Sequence, residues 1–390
     1  MAAVPVNLSC PEKQLLVCCS RTRVAAPVAD QIQRLVDMRL DWGFLLAVAA
    51  SNSVSPLLLR HICSVAPDRI PSAHLVLLRD HARAAALRNL LLTAELIRVL
   101  SVLSAAGIQA IPYKGPALAT QAYGDIGFRE FEDIDLVLRQ RDMPAANDAL
   151  VRLDFSPQFP PLCSPGASSP VIPGEYNYRS REQHLLLELH TERTLRHFPA
   201  PPDLDALSRR LATVSLSGSP VPTFSPEDTL VFICVHGSKD FWERLLWIAD
   251  VAELVASYPQ LDWRCVYEFA DSVRARRMLH LGLALADALL GIAVPDLVRS
   301  RIHSDAVACT FAAQIQNRLL SRTSTPLSSR DSFAYRRRSV PGAYPGLRYA
   351  VRLAISPAAE DWQAVRLPRQ LAPLYAALRP FRLLRKYGAS

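Results

Sequence analysis

The sequence predicts an α+β protein, with a small mixed β-sheet core flanked by N-terminal and C-terminal helical regions. Three observations carry this expectation. Apolar residues recur at three- and four-residue spacings before residue 106 and again after residue 225. Short alternating segments bounded by turn residues fall between those regions. Glycine is sparse at 14 and proline plentiful at 30 in a chain that is 50% hydrophobic, which favours helices punctuated by prolines. With 390 residues there is room for two or three domains with real cores.

The elements follow in order. Ala29–Val48 and Pro71–Ala106 read as helices, the second on Leu87, Leu90, Leu91, Ala94, Leu96, Ile97 and Leu100. Gly107 reads as the residue that ends it. Ile108–Tyr113 reads as a strand, and Lys114-Gly115-Pro116 as a turn into a helix over Ala117–Tyr123, with Pro116 in its first turn. Gly124–Glu132 is a loop, Asp133–Leu138 a second strand, and Asp142–Leu153 a helix with Asp142 as N-cap. Phe155–Gly174 is rich in Pro and Ser and reads as a long loop. Glu175–Ser180 and His184–His190 form a strand pair, Asp203–Leu211 a short helix, and Val214–Phe224 a hairpin turning at Ser217-Gly218-Ser219. Ser225-Pro226-Glu227-Asp228 starts a helix, with Ser as cap, Pro next and acids in the first turn. Helices then run to about residue 320. Residues 321–346 read as loop, and the last 25 mix helix with breaks at Pro368, Pro373 and Pro380. The expected division is 1–106, 107–224, 225–320 and 321–390.

Composition narrows the function classes. No run of 18 or more apolar residues lacks charges, so no membrane span is expected. Met1–Ser20 lacks the basic-then-apolar pattern of a secretory signal. The eight cysteines form no CxxC pair and most sit in apolar stretches, so they are expected as reduced, mostly buried thiols of a cytoplasmic protein. The net charge is +8, but Arg322–Ser390 alone carries +10. The basic character thus belongs to the C-terminal segment. Its Arg336-Arg337-Arg338 run is compatible with nucleic acid, yet no aromatic interleaving or zinc pattern supports specific binding. A solvated basic tail, or one docked on an acidic protein surface, fits as well.

The chemistry concentrates around Asp133-Ile134-Asp135. On a strand these two carboxylates face the same way, set among Ile134, Leu136, Val137 and Leu138. Like charges so placed are tolerated when a divalent cation lies between them. Glu188, in the leucine-rich strand before His190, is a third carboxylate that such a strand rarely buries alone. Three carboxylates on adjacent strands suit two Mg²⁺ ions, which would activate an attacking hydroxyl and stabilise a leaving pyrophosphate. An exposed acidic strand face is the simpler alternative.

Lys114-Gly115 suits a phosphate, since glycine lets backbone N–H groups approach, although Pro116 removes a donor and GxxxxGK[ST] is absent. It also fits an ordinary turn. Arg129 would grip a triphosphate or pair with Asp133 and Asp135. His190 shares a face with Glu188 and would ligate metal, orient Glu188 or touch phosphate. In His236-Gly237-Ser238-Lys239, Lys239 is expected to share one helix face with Trp242 and Leu246, with Asp250 a turn further on. That face would either close a nucleotide pocket or pack two domains.

Several segments together resemble the uncharacterised bacterial nucleotidyltransferase family of the DNA-polymerase-β-type superfamily. They are Tyr113-Lys114-Gly115-Pro116-Ala117-Leu118, Tyr123-Gly124-Asp125, Arg129 and Asp133-Ile134-Asp135-Leu136-Val137. Glu188-Leu189-His190, Ser225-Pro226-Glu227-Asp228, His236-Gly237-Ser238-Lys239 and Trp247-Ile248-Ala249-Asp250 continue the likeness. Glu360-Asp361-Trp362, Leu367-Pro368, Leu374-Tyr375 and Arg379-Pro380 extend it, so that it runs from about residue 40 onward. The resemblance implies a nucleotidyltransferase core, Mg²⁺ and an NTP donor, with the acidic triad on Asp133, Asp135 and Glu188. Pro116 stands where the superfamily usually has Ser or Gly.

The expected enzyme therefore moves a nucleoside monophosphate from an NTP to a hydroxyl or phosphate acceptor, which would be a small molecule, a peptide or a protein. Asp133, Asp135 and Glu188 are the catalytic and metal-binding candidates. Lys114, Gly115, Arg129, His190, Lys239 and Asp250 are the substrate-binding candidates. A non-catalytic nucleotide-binding or scaffold protein of the same fold is the competing expectation.

Overall fold

The computed structural model describes residues 10–158, 175–181, 185–192, 195–319, 327–356 and 374–387, together with residues 361, 365 and 371. The N-terminal region is a helical cluster: α1 (Pro11–Cys19), α2 (Ala26–Val36), α3 (Trp42–Ser51), α4 (Ser55–Val65) and the long α5 (Ser72–Ala105). The single helix expected over 29–48 is two, because Asp41 caps α3 by accepting from the Phe44 N–H. Gly107 follows α5 at φ +73°, in its expected terminating place.

The sheet is built next. β1 (Ile111–Pro112) is only two residues, shorter than the expected strand. Then come α6 (Gly115–Leu118), a π-helical turn (Ala119–Tyr123), β2 (Asp133–Val137), α7 (Met143–Arg152), β3 (Phe155–Pro157), β4 (Glu175–Ser180) and β5 (Leu186–His190). Asp142 stands at the N-cap of α7, but its side chain makes no capping bond. β3 occupies the start of the segment expected as a long loop; residues 159–174 of that segment, and His184, lie outside the described residues. The strand order is β1-β2-β5-β4-β3. β2 and β5 are parallel, and the other pairs are antiparallel, so the sheet is mixed as expected.

Strand alternation then sorts the residues. Ile134, Leu136, Leu187 and Leu189 turn to one face and form a core with Leu92, Leu96, Val99 and Leu103 of α5 and Ala146, Ala149 and Leu150 of α7. Asp135, Glu188 and His190 turn to the other face. A second, larger core lies on that side, where Tyr113 and Val137 meet Phe224, Phe232 and the helices beyond.

The chain continues through α8 (Leu204–Ser208), the hairpin β6–β7 (Ala212–Leu216, Ser219–Thr223), α9 (Pro226–Lys239), α10 (Leu245–Ser257), α11 (Trp263–Ser272), α12 (Arg276–Leu290), α13 (Asp296–Ser304) and α14 (Ala306–Arg318). Ser225 caps α9 by accepting from the Asp228 N–H, as its sequence predicts. The expected continuous helix from His236 to Asp250 is broken. Phe241 and Trp242 take φ of +56° and +54°, and α9 ends at Lys239.

Trp242 is fully buried in this break, on Gly237 and Gly282. A Cβ on either glycine would lie 2.6 Å or 2.9 Å from the indole ring. Gly237→Ala is therefore expected to cost about 1–3 kcal/mol by overpacking. Calorimetric melting of the variant checks this.

Residues expected as loop after 321 are partly helical: α15 (Ser329–Arg338) and α16 (Ala343–Ile355). Ser328 caps α15, Asp331 lies in its first turn and Arg336–Arg338 in its last, so capping and the helix dipole favour the helix despite its polar composition. Residues 321–326 lie outside the described set. The final helix, Leu374–Tyr387, runs through Pro380 rather than breaking there; Pro368 and Pro373 lie outside the described residues, as do Glu360, Trp362 and Leu367. The seven described cysteines are all free thiols, and Cys18, Cys19 and Cys234 are buried. Among the described residues no helix is long and apolar enough to cross a membrane.

Candidate active site

Parallel pairing of β2 with β5 sets Asp135 directly opposite Glu188 and Val137 opposite His190. Because side chains alternate, the carboxylates of Asp135 and Glu188 and the imidazole of His190 gather on one face. One ligand atom from each lies within 4.8 Å of the others, with Asp135 and His190 buried. Asp133 is two residues earlier on the same face and half-buried, and it stands outside this tight group.

Asp135 Oδ1 carries the polar traffic. Lys114 Nζ donates to it at 2.9 Å, His190 Nε2 bonds to it at 3.0 Å, and the Tyr113 hydroxyl approaches at 3.5 Å. Glu188 lies 3.5 Å from the same His190 nitrogen. Asp135 Oδ2 is buried and has no hydrogen-bond partner. A buried carboxylate oxygen left so costs free energy unless another group meets it. The residues present thus fit a divalent cation.

The electrostatics say the same. Asp133 is pushed up to about 7, first by the negative charge of Asp135 and then by burial. Burial opposes the ionised form of Asp135, but Lys114 and His190 overcome it and hold the group below the usual carboxylate range. Burial opposes the ionised form of Glu188 too, but its hydrogen bond to His190 and the charges of His190 and Lys114 together lower it. Burial disfavours charged His190, yet its bonds to Asp135 and Glu188 win and raise it to about 9. At neutral pH His190 is an imidazolium that donates to the carboxylates.

Asp133 yields a prediction with a definite sign. Its folded pKa lies above the ordinary value of 3.8. The folded state therefore binds the extra proton between about pH 4 and pH 7, and stability contributed by protonated Asp133 is lost across that window as pH rises. Asp133→Asn removes this loss. Without divalent metal the variant is expected to melt a few degrees above wild type at pH 8 and with it at pH 4. Melting curves in chelator at both pH values check this.

The other expected site residues fall as follows. Gly115 is buried at φ +52°, where a Cβ would come 3.3 Å from the Asp133 carbonyl oxygen. Glycine here lets the turn lie against β2, and the Lys114 ammonium rests on Asp135. Arg129 pairs with neither Asp133 nor Asp135. Its Nε and Nη2 donate to Oδ1 and Oδ2 of Asp250 at 2.8 and 2.9 Å, and Tyr123 Oη donates to the same carboxylate at 2.9 Å. Arg129 is 5% exposed and Asp250 1%, so the pair is a buried strut joining the loop before β2 to α10. Asn89 of α5 pins that loop by donating to the carbonyls of Ile126 and Arg129. Lys239 is half-buried at the end of α9, and the break at Phe241-Trp242 separates it from the α10 face that holds Asp250.

His236 is a neighbour that the sequence did not single out by itself. It packs edge-on against Trp247 at 5.2 Å. Burial lowers its pKa well below the ordinary value, and Lys114 and Lys239 lower it further, while Asp135 acts in the opposite sense. The signal was a histidine closing the apolar run Val231–Val235. Tyr113 is the other: its ring lies edge-on to His190 at 5.6 Å.

The mixed sheet carries these acids on the face toward the helical region. Residues 39–291, well over half of the chain, match a family described as uncharacterised nucleotidyltransferase, and the chain belongs to that family. Among solved structures it is similar to the antibiotic-resistance factor ANT(2'')-Ia, at 14% identity over 47% of this chain and 91% of that one, with a TM-score of 0.33. It is also similar to an antigenic nucleotidyltransferase-like protein from Paracoccidioides brasiliensis, at 17% identity over 54% and 95%, with a TM-score of 0.32. No curated protein matches the chain.

Proposed function

We propose that this chain is a metal-dependent nucleotidyltransferase that moves a nucleoside monophosphate from an NTP to a hydroxyl or phosphate acceptor. The observation that carries the reading is the unsatisfied Asp135 Oδ2, buried on the face it shares with Glu188, while the negative charge of Asp135 and then burial raise Asp133 to about 7. A divalent cation bound there would polarise the phosphates and acidify the acceptor hydroxyl.

Asp133, Asp135 and Glu188 are the ligands we assign, with Mg²⁺ as the ion, because it prefers an all-oxygen set. His190, as an imidazolium, then orients Asp135 and Glu188 instead of ligating. Glu188 is ionised at neutral pH and takes the proton as the acceptor oxygen bonds to the α-phosphorus. The bond between the α-phosphorus and the bridging oxygen breaks, and pyrophosphate leaves with that oxygen. Lys114 stands at the turn with its ammonium on Asp135, and we assign that ammonium to the phosphates of the donor. Arg129 and Asp250 act through position: they hold the loop entering β2 against α10.

The test is incubation with each α-labelled NTP, Mg²⁺ and a panel of sugar, peptide and phosphate acceptors. Label transfer with release of pyrophosphate is the expected result, lost in Glu188→Gln. Binding of NTP without turnover on any acceptor, unchanged in that variant, would favour a nucleotide-binding scaffold instead.

A further inference from the structure

The Arg336-Arg337-Arg338 run is not a free tail. α15 lies over the end of α9, with the Tyr335 and Phe241 rings 5.0 Å apart and the Arg336 guanidinium 5.5 Å from the Phe241 centroid. The segment at 196–198 is drawn to the same place by α16. Tyr349 Oη donates to the His197 carbonyl at 2.9 Å, and Arg352 donates to the carbonyls of Arg196 and Phe198. These contacts set Arg336 over the end of α9 and the His197 backbone against α16, and the charges of Lys239 and Arg336 both act on His197.

The cluster is unbalanced. Other half-buried or buried guanidiniums meet a carboxylate, as Arg129 meets Asp250, Arg277 Asp305 and Arg379 Asp361, or backbone carbonyls, as Arg21 and Arg352 do. Among the described residues no carboxylate comes within ion-pair distance of Arg336 or Lys239, and the acid felt by Arg336 is Asp240. His197 Nδ1 is buried without a partner. Ser238 Oγ and the Tyr335 hydroxyl, both on buried residues, lie near each other without closing a hydrogen bond. Burial and then Lys239, Arg196 and Arg336 keep His197 neutral. Half-desolvated cations and idle donors converge where the protein supplies too little negative charge, and that arrangement is costly unless an anion completes it.

We propose that Lys239, Arg336 and His197 form a subsite for a phosphate oxyanion, set beside the carboxylate cluster and needing no metal. His236, one turn before Lys239, connects the two, since it is acted on by both Lys239 and the Lys114–Asp135 pair. The purpose of the subsite rests on the transferase reading; its existence does not. The oxyanion comes either from the triphosphate tail of the donor or from a phosphate on the acceptor.

The experiment is calorimetric titration of the full chain with inorganic tripolyphosphate and with orthophosphate, in chelator. Wild type is expected to bind saturably. Lys239→Gln/Arg336→Gln should bind at least tenfold more weakly, with Lys239→Gln alone, at a half-exposed position, showing an intermediate loss. Circular dichroism and unliganded melting identify any variant that fails to fold. Tripolyphosphate binding displaced by NTP places the donor tail in the subsite; orthophosphate binding undisturbed by NTP places the acceptor there. No saturable binding by wild type, or equal affinity in the folded double variant, overturns the proposal. Saturable anion binding by wild type that shows no nucleotidyl transfer on any acceptor would remove only the transferase reading.

Discussion

Asp135→Asn is expected to reduce nucleotidyl transfer by about 10³-fold or more, because the change removes the charge around which the site is assembled. The same substitution is expected to destabilise the fold. Lys114 and His190 both direct their charge at Asp135 Oδ1 from buried positions. Deleting the carboxylate charge leaves a buried ammonium and a buried imidazolium with poorer compensation, a loss of about 2–4 kcal/mol. The pH dependence identifies the cause. In wild type His190 has its folded pKa near 9, above the ordinary 6.5, so its contribution is complete below about pH 6.5 and lost as pH rises toward 9. In Asp135→Asn this decline should flatten. Chemical denaturation at pH 6 and pH 9 checks it. Asp133→Asn differs in sign on stability while also abolishing transfer, so the two acids are separable although they lie two residues apart.

Breaking the strut is expected to have the second large effect. Arg129→Ala or Asp250→Ala alone leaves one buried charge without its partner, at a cost of about 3–5 kcal/mol. Arg129→Met combined with Asp250→Leu removes both charges and is expected to recover most of that loss. If Arg129 only positions the loop, the refolded double variant keeps measurable transfer and an NTP KM within a few fold of wild type. A double variant that is as stable as wild type yet loses NTP affinity by two orders of magnitude would return Arg129 to the phosphates.

The contrast between these residues shows what the sequence makes legible. Asp133, Asp135 and Glu188 are readable because strand alternation is local: two acids in an apolar strand declare their shared face, and a glutamate in a leucine run asks for a partner. Ser225 and the turn at Ser217-Gly218-Ser219 are readable for the same reason. Proximity in sequence links Arg129 to Asp133 and Asp135 or to a triphosphate held beside them, whereas its partner Asp250 is 121 residues away. The break between α9 and α10 was invisible because Phe241 and Trp242 adopt positive φ without being glycine, stabilised by burial of the indole on Gly237 and Gly282. α15 and the start of α16 fall where the sequence reads as loop, because a polar, proline-containing segment gives a weak periodic signal; capping and packing on the rest of the fold supply what propensity does not.

The carboxylates on β2 and β5 are expected to bind a divalent cation together with an NTP. Titration of Mn²⁺, followed by the loss of its free-ion paramagnetic resonance signal in the presence of a non-hydrolysable NTP, tests this without knowledge of the acceptor. Saturable, nucleotide-enhanced Mn²⁺ binding in wild type, displaced by excess Mg²⁺ and absent in Asp135→Asn, is the predicted result. Equal Mn²⁺ binding by wild type and Asp135→Asn, or none in either, would contradict the account.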